Sequence, residues 1–466
     1  MDRSAAPAVS RAGDRAITVR PELVPLLKLA GPVVLARLGI MVMGLSDAIV
    51  VGRYSAAQLG YHALGWAPTN VVITMVVGLL SGVQVMTARA VGDGRLGEAG
   101  AVLRRGVVYS LWIGLAATLV LVLAGPRFLH AIGISKDLAD GASAPLLIFA
   151  LSLPPYAVSV AASFWLEGLQ RPAAAAWAMW IANGVNLALD LLLVPGTFGL
   201  PALGAVSGGW ATLGARTALC LFMLGYIARM GEARALGVFD RAPRDPRAEA
   251  EQRKIGFGAG LSNFFEVAAF NSLNIIAGWI GALAVAGWAI VLNVTAVVFM
   301  APLGLATAAA VRVGSAYGAR DVGGARSAAA TAVLVTTVYG VVLALAVWPL
   351  AGPIARLYTA DAQTLAIASA GLVLTCLMFL PDALQVVAAQ ALRARGDVWA
   401  PTGTHLTSYI VIMAPLAWWL AIPKGMGVKG LVWAVILASL VSCGLLLARL
   451  WRLDRRDSRS SRFASV

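Results

Sequence analysis

Long apolar stretches recur along the chain and constrain its fold more than any other feature. A helix that crosses a bilayer needs about 20 predominantly apolar residues. Only 12% of the 466 residues are charged and 60% are hydrophobic, whereas soluble proteins carry about 25% charged residues. The sequence therefore predicts an all-α membrane protein with twelve transmembrane helices, at about 28–52, 61–88, 103–125, 141–168, 173–195, 203–228, 255–280, 283–311, 327–352, 364–392, 398–422 and 428–451.

The net charge of +14 is explained by membrane topology. Twenty-eight of the 36 Lys and Arg residues fall on one side of the predicted spans and six on the other. Because cytoplasmic loops are enriched in Lys and Arg, both termini are predicted in the cytoplasm, for a multi-pass protein of the cell inner membrane. No basic helix with interleaved aromatic residues occurs, so we expect the lipid bilayer and no nucleic acid as a partner.

The two halves of the chain are similar at a nearly constant offset. Leu123–Ala124–Gly125–Pro126 recurs as Leu350–Ala351–Gly352–Pro353, 227 residues later. Each half holds six spans, so the repeats are parallel, an arrangement found in transporters. The predicted division is a cytoplasmic N-terminal arm 1–27, an N-lobe 28–228, a cytoplasmic linker 229–254, a C-lobe 255–451 and a basic cytoplasmic tail 452–466.

Few carboxylates lie within the spans, and they are the first candidates for function. A charge at bilayer depth costs several kcal/mol and usually faces a cavity, a partner or a transported ion. Asp47 and Asp190 are predicted at similar depth, and Asn183 and Asn186 share a helical face with Asp190. Such a group can hold a proton or a hard cation.

The second half offers another acidic pair, Glu266 and Asp382, at overlapping depth near the middle of the membrane. Asn271 and Asn293 are further polar candidates for a cavity. Arg37 precedes Asp47 by ten residues, which is about 15 Å along a helix. We therefore expect Arg37 to have a different partner or to line a cavity.

Motifs for enzymatic chemistry, such as a zinc box, a nucleophile elbow or a Walker loop, do not occur. His62 and His405 have no metal-ligand partners at helical spacing and are interpreted as packing residues. We expect no cofactor and no enzymatic activity.

The chain resembles the multidrug and toxic compound extrusion (MATE) family, in its NorM-type branch, over essentially its whole length. The motifs that carry this resemblance are the tenth-helix segment 379–397, Phe264–Phe265–Glu266, the run 292–314, Asp47 with Gly52, Asn186 with Asp190, and the segment 204–212. The resemblance implies two six-helix lobes in a V with pseudo-two-fold symmetry. It also implies a monomer that exports lipophilic, drug-like cations in exchange for H⁺ or Na⁺ by alternating access.

The resemblance also assigns roles to residues. It implies an N-lobe cation or proton site of Asp47, Asn186, Asp190 and Thr212, and a C-lobe sodium site of Glu266 and Asp382. The family's sodium pattern includes a Tyr one turn before the tenth-helix Asp, where this chain has Met378. A thioether is a poor ligand for a hard cation, which favours proton coupling.

Two alternative functions are considered from the sequence. A lipid-linked precursor flippase of the same superfamily usually has additional helices and a basic central cavity, whereas this chain has about twelve spans and mainly acidic membrane residues. A membrane-embedded enzyme would need a catalytic constellation facing one interface, and the sequence contains none that we recognise.

Overall fold

The computed structural model describes residues 20–132, 134–199, 201–240 and 245–463. Most of the predicted arm 1–27, four residues of the predicted linker and the last residues of the predicted tail lie outside these ranges. The described residues form helices joined by short turns. In order they are α1 Arg20–Tyr54, α2 Ala56–Gly92, α3 Leu96–Ala131, α4 Lys136–Leu151, α5 Leu153–Gly168, α6 Ala173–Leu193, α7 Ala205–Arg229, α8 Pro246–Ile280, α9 Ala282–Gly318, α10 Val322–Arg356, α11 Ala362–Ala394, α12 Trp399–His405, a π-helix Leu406–Met413, α13 Ala414–Ala421 and α14 Val428–Phe463.

These helices account for all twelve predicted spans. Ten continuous helical segments are long and apolar enough to cross a membrane, and α4 with α5 forms an eleventh, bent by 41°. The twelfth is α8, whose 35 residues are long enough but include the polar residues Asn263, Glu266, Asn271 and Asn274. The least apolar span is therefore one that carries a candidate functional carboxylate.

The bend between α4 and α5 has a local cause in the sequence. Ser152 separates the two helices, and Pro154 and Pro155 follow in the first turn of α5. Proline lacks a backbone N–H and fits the first turn of a helix best, because that N–H would have no partner within the helix. The predicted span 141–168 is thus two helical pieces, with the Ser152 hydroxyl buried at their junction.

Several helices extend beyond the predicted spans. The segment predicted as a linker is partly helical, because α8 begins at Pro246, where Asp245 caps the helix by accepting from the N–H groups of Arg247 and Ala248. α14 continues past residue 451 to Phe463. Hydropathy marks the part of a helix that fits the bilayer, whereas caps decide where the helix itself ends.

Each half has its own apolar core. One cluster, which includes Leu80, Leu146 and Trp165, draws most of its buried residues from α1 to α7. A second cluster, which includes Leu372 and Met413, draws its residues from α8 to α14. The halves therefore pack as two bundles, here called the N-lobe and the C-lobe.

The lobes meet along a seam on the terminal side, which is the end of the bundle where α1 begins and α14 ends. Arg312 of α9 forms a bidentate ion pair with Glu22 of α1, at 2.8 Å. Arg89 of α2 donates Nε and Nη2 to the carbonyl of Ala394, at 3.0 and 2.9 Å, and contacts Glu251 at 3.4 Å. Among the described residues, the hydrogen bonds and ion pairs between lobes lie between this side and the middle of the helices, where Asn263 donates to the Thr74 carbonyl.

Glycines bring the helix backbones of the seam into direct contact. A Cβ added at Gly78 of α2 would lie 2.5 Å from the Gly260 Cα of α8. Cβ atoms at Gly82 and Gly92 would collide with the backbones of Gln252 and Ser315. These glycine positions therefore admit no larger side chain, and an apolar cluster that includes Leu26, Leu29 and Leu305 completes the contact between the lobes.

We expect Gly78→Val to separate the lobes on the terminal side. Overpacking a rigid contact costs about 1–3 kcal/mol, so labelling of a cysteine introduced at the buried seam residue Ala88 should accelerate roughly tenfold or more. The measurement is reaction with a thiol reagent after the three native cysteines, all buried, have been replaced. The matched control is Gly444→Val, since nothing lies within 4 Å of a Cβ at Gly444; equal labelling in both variants would contradict this view of the seam.

Candidate coupling sites in the two lobes

The carboxylates of Asp47 and Asp190 interact electrostatically in the interior of the N-lobe. Asp47 is 4% exposed and Asp190 is fully buried. Thr212 of α7 donates its hydroxyl to Asp47 Oδ2 at 3.1 Å. Among the described residues, Asp47 Oδ1 and both oxygens of Asp190 have no hydrogen-bond partner. Because buried polar atoms are normally paired, the unpaired oxygens of this arrangement can hold a proton or a cation.

The two predicted carboxamides connect α6 to α1 at this level. Asn186 Oδ1 accepts from the Ser46 hydroxyl at 3.5 Å, and Asn183 Nδ2 donates to the Gly39 carbonyl at 3.0 Å. Asn183 also donates to the Met179 carbonyl of its own helix at 2.9 Å. Asn183 therefore fixes the helix pair, while Asn186 lies one turn before Asp190 and beside the carboxylates.

Arg216 is a functional candidate that the sequence reasoning placed in a span without assigning it a role. Its guanidinium, on α7, donates to Ser152 Oγ at 2.6 Å and lies over the Tyr156 ring, 4.5 Å from the centroid. It also interacts electrostatically with Asp47. The bend between α4 and α5 thus supplies the acceptor that holds one positive charge beside two carboxylates. The usable signal was a charged residue inside an apolar span.

His62 lines the same cavity, which has a volume of ≈ 60 Å³ and also includes Asp47, Thr212 and Arg216 in its walls. Its ring packs edge-on against Phe149, with 5.2 Å between centroids. His62 also interacts electrostatically with Asp47. The residue makes the packing contact that the sequence predicted, and it belongs to the site as well.

Arg37 has a partner other than Asp47. Its guanidinium lies over the Phe164 ring at 5.7 Å and interacts electrostatically with the buried Glu167. Glu167 Oε2 accepts from Gln84 Nε2 at 2.6 Å. A cavity of ≈ 30 Å³ lies beside Arg37 and Glu167. It shares the wall residues Ile40, Tyr156, Met179 and Leu219 with the cavity at Asp47.

In the C-lobe, Glu266 of α8 and Asp382 of α11 interact electrostatically, so the structure brings this predicted pair together. Asp382 is 6% exposed, and its Oδ1 accepts from the Ser439 hydroxyl at 3.2 Å. Gln385, one turn further along α11, is fully buried, and both polar atoms of its amide have no partner among the described residues. The pair therefore lies in a polar pocket of α8, α11 and α14.

Tyr409 supplies a phenol to this pocket. It is fully buried in the π-helix Leu406–Met413, and it interacts with Glu266, Asp382 and Ser439. Met378, where the family pattern has its Tyr, is instead packed in the apolar core of the lobe. Tyr409 could not be predicted from the sequence, because its position beside Asp382 depends on the packing of two helices and on the π-helical register of Leu406–Met413.

A buried arginine accompanies this pair too. Arg393 is 3% exposed and interacts electrostatically with Glu266 and with His405. Its Nε and Nη2 have no hydrogen-bond partner among the described residues. Each of the two sites thus combines two carboxylates with one guanidinium. The described residues contain no cluster of three His, Cys, Asp or Glu that could hold a metal ion, so a sodium ion here would also need phenol, hydroxyl or amide oxygens.

The remaining polar candidates are bonded elsewhere. Asn271 is exposed and donates Nδ2 to the Val267 carbonyl of its own helix at 2.8 Å. Asn293 is also exposed, and its Oδ1 accepts from the Tyr358 hydroxyl at 2.9 Å. Among the described contacts, neither amide bonds to Glu266 or Asp382.

Comparison with known proteins covers nearly the whole chain. The family model MatE matches twice, at residues 32–192 and 259–419. A probable multidrug resistance protein NorM of Caulobacter vibrioides is 58% identical over 447 residues, which cover 96% of this chain and 95% of the relative. The multidrug resistance protein PmpM of Pseudomonas aeruginosa is 30% identical, with 96% and 94% covered. The crystal structure of the eukaryotic MATE transporter AtDTX14 aligns with a TM-score of 0.86 at 19% identity, covering 96% and 100%. This likeness confirms the predicted fold class, two helical lobes in a V.

We expect Arg216→Gln to destabilise the N-lobe by leaving both carboxylates without a positive neighbour. Removing one partner of a buried charge pair costs about 3–5 kcal/mol. Thermal unfolding of the purified protein measures the effect. The double variant Asp47→Asn/Arg216→Gln should recover part of the loss, because it removes the uncompensated charge.

The matched control is Arg171→Gln, which removes an arginine from an exposed ion pair with Glu232 that is worth about 0–1 kcal/mol. If the double variant is less stable than Arg216→Gln alone, Arg216 does not act by offsetting the charge of Asp47.

Proposed function

The chain belongs to the MatE family, and on this premise we propose that it exports lipophilic cationic compounds in exchange for protons, or for sodium ions, by alternating access. Family membership confirms the resemblance predicted from the sequence, and with it that the chain is a multi-pass membrane transporter and not an enzyme. We further propose that it lies in the inner membrane as a monomer with the terminal side in the cytoplasm, which the distribution of Lys and Arg supports.

The observation that carries this proposal is the electrostatic interaction between the buried side chains of Asp47 and Asp190. Two ionised carboxylates repel strongly in a buried site, and Arg216 offsets only one of the two charges. One proton or one monovalent cation therefore neutralises the N-lobe site. A change in the packing of the lobe changes the affinity of this site for its ion. Coupling of drug export to an ion gradient requires such a change in affinity.

The position of the seam between the lobes supports the direction in which we propose that ion and drug are exchanged. The lobes are joined on the terminal side by Arg312–Glu22, by the contacts of Arg89 and by glycine backbones. With that side in the cytoplasm, a state closed at the seam exchanges ions and drugs with the outside. Ion and drug are exchanged if they favour opposite arrangements of the lobes, since a ligand shifts a conformational equilibrium only by its differential affinity.

The C-lobe pair supports a cationic substrate or a second coupling ion. One buried guanidinium, that of Arg393, interacts with Glu266, so this site also keeps one uncompensated negative charge. A negative, partly apolar site attracts lipophilic cations through charge and through aromatic faces. The oxygens of Tyr409, Gln385 and Ser439 are also the hard ligands that sodium prefers.

We expect Asp190→Asn to remove proton-driven export. In proteoliposomes, export of ethidium under an imposed pH gradient should fall roughly 5- to 150-fold, the usual range of a coupling free energy. Asp361→Asn is the matched control, because Asp361 caps α11 outside the membrane and asparagine caps equally well. Wild-type export by Asp190→Asn under the pH gradient would sink the N-lobe mechanism.

Tyr409→Phe should distinguish export driven by sodium ions from export driven by protons. Removing the phenol takes one oxygen from the Asp382 pocket, so export driven by a sodium gradient alone should weaken while export driven by a pH gradient alone persists. The same proteoliposome assay, with each gradient imposed separately, measures both. An equal loss under both gradients would show that the C-lobe pocket does not act as a sodium site.

A further inference from the structure

A basic cavity of ≈ 410 Å³ lies where α3 meets the first turns of α8, on the terminal side of the molecule. Its walls include Arg104, Arg105, Arg253, Glu249, Tyr109 and Trp112. It lies outside both carboxylate sites, and it is formed by helices of both halves of the chain. None of the coupling chemistry described above uses these arginines.

The cavity carries net positive charge that is held in place. Arg104 donates Nη1 to the carbonyls of Gly237 and Val238, and Arg105 donates Nε to Gln252 Oε1 at 3.4 Å. Arg253 lies 3.8 Å from Glu249, the one acidic residue in the walls. Three guanidinium groups and one carboxylate thus lie in the walls, while Asp245 and Glu98 outside the walls also interact electrostatically with Arg105. Because each guanidinium has five N–H donors, these few bonds orient the arginines and leave donors for an anion.

An exposed apolar stripe continues from the cavity along α3. Val108, Trp112, Leu115 and Leu119 are 58%, 68%, 46% and 59% exposed. Their spacing of four, three and four residues places them on one face of the helix. In a bilayer this face contacts acyl chains, while Arg104 and Arg105 lie at the start of the predicted span 103–125, at the level of the headgroups.

We propose that the cavity binds the phosphate group of an anionic phospholipid, with one acyl chain lying along the stripe on α3. Guanidinium groups bind phosphate oxygens through paired, charge-assisted hydrogen bonds, and basic pockets between transmembrane helices suit anionic headgroups. Because the basic cavity continues into the exposed apolar stripe on α3, this surface fits a phospholipid better than a free anion. The bound headgroup touches α3 of the N-lobe and the start of α8, so it favours the closed seam.

The test compares lipids and variants in thermal unfolding of the purified full chain in detergent. Phosphatidylglycerol should raise the unfolding temperature by binding the folded state, whereas phosphatidylcholine and millimolar inorganic phosphate should not. Arg105→Gln/Arg253→Gln keeps the contacts of Arg104 with residues 237 and 238. This variant should need roughly 30-fold more phosphatidylglycerol for the same rise, since each arginine near the membrane surface contributes about 1 kcal/mol. The control Arg326→Gln removes an exposed arginine near the start of α10 and should behave as wild type.

Glu249→Gln distinguishes binding from simple structural damage. Removing the one carboxylate of the walls makes the cavity more positive, so the apparent affinity for phosphatidylglycerol should rise while it falls in the arginine variant. Equal stabilisation by phosphatidylcholine would overturn the proposal. Equal stabilisation by inorganic phosphate would overturn the assignment to a lipid, and so would a loss of affinity in Glu249→Gln.

Discussion

Repulsion between paired carboxylates in a low-dielectric interior is the interaction around which each lobe is arranged. Two unit charges 4 Å apart interact by about 4 kcal/mol even at an effective dielectric constant of 20. The N-lobe places Arg216 beside Asp47, and the C-lobe places Arg393 beside Glu266. Both arginines are almost fully buried. Each site is thus left with one uncompensated negative charge. The helix bundle tolerates this single charge, and the binding of one monovalent cation neutralises it.

The seam is built differently from the interior of the lobes. Inside a lobe, large apolar side chains such as Trp165 and Met413 interdigitate in a continuous core. At the seam, backbone meets backbone at Gly78 and Gly82, with few ion pairs beside them. Close contacts between small residues are how membrane helices associate when no hydrophobic force drives them together. Two rigid bodies joined by such a surface can part without losing their own cores.

The sequence predicted the number of spans and the two acidic pairs, because long apolar runs and carboxylates inside them are both rare in other folds. It placed Asp47 and Asp190 at one level by counting helical residues, and in the structure the two buried side chains interact electrostatically. The predicted span 255–280 lies within α8, which begins earlier, at Pro246, because a cap such as Asp245 and not hydropathy decides where a helix starts. The sequence missed the roles of Arg216 and Tyr409, because each depends on a local irregularity, the bend at Ser152 or the π-helix, together with packing between distant helices.

The π-helix Leu406–Met413 has a consequence for how the C-lobe pocket is assembled. In a π-helix each N–H bonds to the carbonyl five residues back instead of four, so the helix turns through a smaller angle per residue. Tyr409 points at Asp382 in this register. A return to α-helical register would rotate the phenol about the helix axis and would carry α13, with Trp418 and Trp419 at its outer end, along with it. The pocket is thus open to control by torsion of a single helix, a degree of freedom separate from the rocking of whole lobes.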